Sequence, residues 1–121
     1  MTTVMVVDDA LFMRTILKKV LTDAGFEVIG EAENGQLAIA RYQELRPDVV
    51  MMDITMPVMD GLSALKEIRK LAPDAAVIMC TALGQESSVM DALKSGAKDY
   101  IIKPFKPDKV AEAVKKASGK S

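Results

Sequence analysis

The sequence predicts an α/β fold: a doubly wound sheet of five parallel strands with helices on both faces, giving a three-layer sandwich. Three observations predict it. Five short apolar runs recur along the 121 residues, the best of them with no polar face, as strands covered on both sides require. Between the runs, apolar residues fall at i, i+3, i+4 and i+7, the spacing of one helix face. Strands joined by helical crossovers must lie parallel, with right-handed connections.

The first run, residues 3–7, reads as a buried strand that ends on Asp8-Asp9. A helix follows over 10–24, with Met13, Ile16, Leu17, Val20, Leu21 and Ala24 on one face. Asp9 is placed to cap its start and Gly25 to stop it. Residues 27–32 form a more polar strand, expected at a sheet edge. Asn34-Gly35 turns the chain into a helix over 35–45 that buries Leu37, Ala38, Tyr42 and Leu45, and Pro47 blocks its continuation. The third strand, 49–53, ends on a single carboxylate, Asp53, and the chain then breaks at Pro57. Asp60 is a cap for a helix over 61–71 that buries Leu62, Leu65 and Ile68. A fourth strand over 76–80 leads to Thr81-Ala82. A helix over 86–95 turns Val89, Ala92 and Leu93 inward before Gly96. The fifth strand, 98–102, ends at Lys103-Pro104. The last helix, 107–118, carries Val110, Ala113, Val114 and Ala117 on one face, and the tail Gly119-Lys120-Ser121 is expected to fray.

One domain over 1–121 fits this length, with no linker, low-complexity segment or repeat beyond the alternation. The formal net charge of −1 makes no case for nucleic acid or an anionic membrane. Charge is uneven, however: residues 94–121 carry eight lysines against three acids. That asymmetry suits either a partner surface or a solvated helix. No apolar run reaches the ~18 residues of a membrane span, and no signal peptide is visible, so a cytoplasmic monomer is expected. Cys80, the only cysteine, lies in an apolar run and reads as a buried, inert thiol. Histidine is absent, which removes every mechanism that needs one in this chain.

In open parallel sheets, ligands bind at the carboxyl ends of the strands, beside the point where strand order reverses. Asp8, Asp9, Asp53, Thr81 and Lys103 all fall at such ends. Three carboxylates at ~4 Å repel by about 4 kcal/mol per pair at an effective dielectric near 20. A divalent cation removes that penalty, and oxygen-only ligands select Mg²⁺ before Zn²⁺. Lys103 offers a compact positive charge for a phosphoryl oxygen, and the Thr81 hydroxyl offers a donor. The remaining carboxylate can act as a nucleophile and become an aspartyl phosphate.

These residues carry a resemblance over the whole chain. Val7-Asp8-Asp9, the loop Asp53-Ile54-Thr55-Met56-Pro57-Val58-Met59-Asp60-Gly61, Thr81-Ala82 and Lys103-Pro104-Phe105 resemble the receiver domains of two-component response regulators, most closely the stand-alone chemotaxis regulators of CheY type. The resemblance implies the flavodoxin-like strand order 2-1-3-4-5. It implies Asp53 as the acceptor of a phosphoryl group from a histidine kinase. Mg²⁺ is then held by Asp8, Asp9 and Asp53 with the backbone carbonyl of Thr55. Lys103 contacts the phosphoryl group, with a cis bond to Pro104. Thr81 is the switch hydroxyl, Tyr100 the switch aromatic, and small Ala82 leaves room for the phosphoryl group. Thr55 and Leu83 stand where the family tunes phosphoryl lifetime. Output is binding, to a flagellar motor switch component or an adaptor, through the fourth helix, fifth strand and fifth helix.

Blander readings exist for single residues. Asp9 alone could be a helix cap, Thr81 a loop residue, Tyr100 core packing, and Phe12 and Met90 ordinary surface or core. Gly119-Lys120-Ser121 lacks the upstream glycine of a phosphate-binding loop, because Val114 stands there. Other functions are a phosphorelay intermediate, a receiver cut from a larger regulator, and an aspartyl-nucleophile phosphohydrolase. The last generally needs a second acid two residues after the nucleophile, where this chain has Thr55. A flavodoxin-like cofactor binder would need a hydroxyl-rich loop after the first strand, where two acids stand.

Overall fold

Strands and helices alternate along the chain in the computed structural model, which describes residues 1–119. The expectation for the tail at Lys120 and Ser121 lies outside the described residues. The elements are β1 (Thr3–Val7), α1 (Leu11–Asp23), β2 (Glu27–Ala32), α2 (Gly35–Leu45), β3 (Val49–Asp53), α3 (Gly61–Leu71), β4 (Val77–Thr81), α4 (Glu86–Lys94), β5 (Asp99–Ile102) and α5 (Pro107–Ala117). All strand pairings are parallel, and the sheet order is β2-β1-β3-β4-β5. The more polar β2 is indeed an edge strand.

The continuous apolar runs follow from burial on both faces. Side chains alternate across a strand, and the core accordingly divides in two. Met5, Val7, Val50, Met52, Val77 and Met79 face α2, α3 and α4, where Tyr42, Leu65, Ile68 and Val89 meet them. Val4, Val6, Val49, Met51, Ile78 and Cys80 face α1 and α5, where Leu17, Leu21, Val110 and Val114 close the second layer. With both faces of the central strands apolar, polar groups gather at the strand ends.

Helix boundaries follow local chemistry. Asn34 Oδ1 accepts from the Leu37 amide at 2.9 Å, and Asp60 Oδ1 accepts from the Ser63 amide at 2.8 Å; both are N-caps. Gly25 ends α1 at a φ of 92°. In α2, Ala38 and Tyr42 are buried, while Leu37 and Leu45 are only partly so. The expected cap of α1 by Asp9 is not made. Ala10 is the N-cap residue and has no side-chain cap bond. Asp8 Oδ1 instead accepts from the Ala10 amide at 2.9 Å, a turn that leaves Asp9 exposed and its carboxylate free of a capping role.

The chain leaves β1 toward β2 and returns across it to β3, so strand order reverses between β1 and β3. Asp8 and Asp53 stand at the carboxyl ends of these neighbours. The loop after Asp53 is tightly held. The Gly61 amide donates to the Ile54 carbonyl at 2.7 Å, and the Met59 amide donates to the Pro57 carbonyl at 2.7 Å. Val58, between the latter two, has a φ of 68°, a left-handed conformation that costs a non-glycine residue about 1–2 kcal/mol.

Gly61 is required by close approach: a Cβ there would lie 2.0 Å from the Asp53 carbonyl oxygen. Gly61→Ala therefore pushes α3 and the Asp53 backbone apart. It should lower unfolding free energy by about 2–3 kcal/mol, measured by urea denaturation; an unchanged midpoint would show that the loop has slack.

Candidate functional site

Four separate strand ends supply the site, and the sheet brings them together. Asp8 follows β1, Asp53 ends β3, Thr81 ends β4 and Lys103 follows β5. The strand register holds them level: Asp53 pairs with Cys80, Thr81 pairs with Ile102, and the Lys103 amide donates to the Thr81 carbonyl at 2.8 Å.

Asp8, Asp9 and Asp53 each offer a carboxylate oxygen, all within 4.8 Å of one another. Asp8 and Asp53 are 4% and 7% exposed, whereas Asp9 is open to solvent. Lys103 Nζ bridges the buried pair, 2.9 Å from Asp8 Oδ2 and 3.2 Å from Asp53 Oδ2. One cation thus faces three acids. Burial raises the Asp53 carboxyl pKa; Lys103 opposes the rise and the Asp8 charge adds to it. Burial by itself would lower the Lys103 pKa, but its hydrogen bond to Asp8 and the charges of Asp53 and Asp8 carry it above the ordinary value. Lys103 is therefore charged at neutral pH. The donor set is all oxygen and contains no soft ligand, which fits a hard divalent cation.

The Lys103-Pro104 peptide bond is cis, as the resemblance implies. Thr55 lies on the exposed loop two residues past Asp53. Thr81 is 2% exposed and Tyr100 is 43% exposed, so the two expected switch residues differ in environment. Tyr100 stands outside the acidic cluster, in a groove of about 590 Å³ with Leu83, Ile102, Lys106, Lys109 and Lys116. Cys80 lies beneath the site, where burial pushes its thiol up to about 12, consistent with an inert core residue.

Two residues outside the sequence expectations join the site. Arg14 on α1 donates to the Asp8 carbonyl at 2.6 Å while its Nε pairs with Glu31 at 3.0 Å, bracing the backbone that carries the acids. Gln85 makes three contacts. Its Oε1 accepts from the Thr81 hydroxyl at 2.9 Å and from the Ala82 amide at 2.9 Å. Its Nε2 donates to Thr55 Oγ1 at 2.8 Å. The available signal is positional: Gln85 stands where α4 needs an N-cap, and glutamine is not among the favoured caps.

Among the described residues, no helix is long and apolar enough to cross a membrane. The response regulator receiver domain family matches residues 4–115. The chain is 56% identical to the chemotaxis protein CheY of Thermotoga maritima over 115 residues, covering 95% of this chain and 96% of that protein. It is 55% identical to the chemotaxis protein CheY of Bacillus subtilis over 113 residues, covering 93% and 94%. Among solved structures, a chain of the CheX–CheY–BeF3–Mg²⁺ complex from Borrelia burgdorferi superposes with a TM-score of 0.90 at 39% identity, covering 95% of this chain and 87% of that one. A flavodoxin-like sheet with an acidic crevice at its reversal point, matched at this identity over nearly the full chain, places the protein in the response regulator receiver family, among its CheY-like chemotaxis members.

Proposed function

We propose that Asp53 is the phosphoacceptor of this chemotaxis regulator, receiving a phosphoryl group from a phosphohistidine of a histidine kinase. The observation that carries this reading is the buried Asp53 carboxylate, placed beside one lysine and two further acids. An Asp53 carboxylate oxygen attacks phosphorus in line, the P–N bond of the donor breaks, and its electron pair leaves with the imidazole, which is then protonated. The protein is a phosphoacceptor and not a multiple-turnover enzyme, because the product stays on its own side chain. Positioning and charge neutralisation supply most of the rate.

Asp8, Asp9 and Asp53, with the Thr55 carbonyl, would hold Mg²⁺. When bound, the ion neutralises the crowded carboxylates and a phosphoryl oxygen. Mg²⁺ in the Borrelia burgdorferi complex supports that choice. Lys103 turns from its carboxylate partners toward the phosphoryl group, keeping its positive charge through the reaction. The Thr81 hydroxyl then donates to a phosphoryl oxygen. Tyr100, exposed in this structure, turns inward beside it, and the face of α4, β5 and α5 changes shape. The groove on that face is lined by apolar groups of Tyr100, Ile101 and Ile102 and by four lysines against two acids, Asp99 and Glu112. It suits an acidic, amphipathic segment of a flagellar motor switch or adaptor protein. The chain matches 94–96% of the CheY relatives' own lengths, which supports a cytoplasmic receiver of their kind.

A small acyl phosphate with Mg²⁺ should therefore label the protein without a kinase. Intact mass should rise by one phosphoryl group in the wild type, and Asp53→Asn should not gain it; equal labelling of the two would refute the assignment.

The acid cluster has a pH signature in metal-free protein. The folded Asp53 pKa is above its ordinary 3.8, so the native state holds this proton more tightly than the unfolded chain does. The stability this contributes is present below the ordinary value and lost as pH rises through the raised one. At neutral pH, Asp53→Asn should be more stable than wild type by about 1–2 kcal/mol, with the gap closing as pH falls toward the ordinary carboxylate range. Mg²⁺ should raise the stability of the wild type through linkage and that of the mutant much less. Urea melts across pH, with and without Mg²⁺, measure both effects.

Phosphorylation and partner binding should be coupled by about 1–3 kcal/mol. Thr81→Ala should keep phosphorylation and lose most of the coupling. Titrating an acidic motor-switch peptide against both forms of each protein measures it; undiminished coupling in Thr81→Ala would remove the hydroxyl from the switch.

A further inference from the structure

Gln85 binds the crevice rim on both sides, yet the phosphoryl transfer described above gives it no task. Its orientation is chemically determined. The Ala82 amide can only donate, so the carboxamide oxygen must face β4, and the NH₂ group then faces Thr55. Both acceptor positions of that oxygen are taken, by the Ala82 amide and by the Thr81 hydroxyl. The donor contact crosses to the loop after β3, thirty residues away in sequence. Gln85 is also the N-cap residue of α4, but its side chain makes no cap bond there. Its backbone carbonyl accepts from the Val89 amide at 3.1 Å, so a backbone movement at Gln85 carries the first turn of α4.

We propose that Gln85 is a positioning residue that holds the Thr81 hydroxyl off the acceptor and links its release to the loop after β3 and the start of α4. This rests on the reading of Asp53 as acceptor and Thr81 as the responding hydroxyl. The Thr81 hydroxyl has a single proton to donate. In this structure its acceptors are Gln85 Oε1 at 2.9 Å and the Ala82 carbonyl at 3.1 Å. Turning toward a phosphoryl oxygen means leaving Gln85. Phosphorylation therefore breaks the Thr81 bond to Gln85, one of the three contacts by which that side chain ties the end of β4 to the loop after β3. That bond sets how strongly an acceptor-bound anion must pull before the switch moves.

The test uses beryllofluoride with Mg²⁺ as the phosphoryl mimic, titrated into the full chain and followed by NMR at the Thr81 amide and the Tyr100 ring. Wild type, Gln85→Leu, Thr81→Ala and the double mutant are compared, with Gln85→Met as a second, unbranched variant lacking the amide. Without the hold, Gln85→Leu and Gln85→Met should bind about 3- to 10-fold more tightly than wild type, the range of one net hydrogen bond. In the Thr81→Ala background, the Gln85 substitutions should change affinity less than about 2-fold, because the two residues act through one bond. A similar gain in both backgrounds would mean that Gln85 only stiffens the loop, and would overturn the proposal. Equal or weaker binding by both Gln85 variants in the Thr81 background would overturn it as well. A wild type that takes up no beryllofluoride would overturn the acceptor reading and this inference with it. When the wild type does bind, the acceptor reading stands and the Gln85 variants decide this inference alone.

Discussion

The site depends on one lysine held between two buried acids. Lys103 reaches Asp8 at 2.9 Å and Asp53 at 3.2 Å, and those two acids end neighbouring strands of the sheet. Without a cation between them, two carboxylates this buried would repel in a medium that screens poorly. Lys103 makes the crevice foldable, but it leaves an imbalance, since three acids share a single positive charge. Burial raises the Asp53 pKa, and the Asp8 charge adds to the rise against the opposing charge of Lys103. The crevice is thus arranged to gain from a further cation.

The rest of the fold follows from presenting those ends. Alternate side chains along the central strands enter two different cores, so charged groups have no place within β1, β3 or β4. The turn after β1 engages Asp8, not Asp9, because the Asp8 carboxylate accepts the Ala10 amide. This divides two adjacent acids into a buried one tied to Lys103 and an exposed one open to solvent. The absence of a cap on α1 is the local cost of that division. At β3, Gly61 and the positive φ of Val58 fold the following loop against the strand, which keeps Thr55 at the mouth of the crevice.

Fold and acid cluster are legible in the sequence because both have strong local signatures. Apolar runs without a polar face can only be buried strands in a chain that alternates this way, and Asp8, Asp9, Asp53 and Lys103 each follow or end such a run. Strand order is different: alternation shows that strands are parallel without saying which are neighbours, so it comes from resemblance alone. Asp9 reads as a cap because an acid before a helix ordinarily is one; only the fold shows that Asp8 engages the turn instead. Gln85 is invisible for another reason. Its partners are Thr81 at the end of β4, Ala82 just after it and Thr55 on the loop after β3, and no spacing along the chain reports the last contact, across thirty residues. Arg14 is hidden similarly, because its site contact is to the Asp8 carbonyl, and a backbone acceptor leaves no residue-type signal.

What sequence does not display is how the unphosphorylated state is held, and the hydrogen bonds address that directly. Thr81 is almost fully buried, and a hydroxyl there requires a partner in every state the protein visits. In this structure its acceptors are Gln85 Oε1 and the Ala82 carbonyl. A buried hydroxyl with two acceptors in reach, one on a side chain and one on the backbone, can change partner without losing its hydrogen bond. Occupancy depends only on the difference in free energy between its positions. The Thr81–Gln85 bond joins two neutral groups, so its net strength is modest, about 0.5–1.5 kcal/mol. The residue that supplies it, Gln85, also opens α4, where its backbone carbonyl accepts from the Val89 amide.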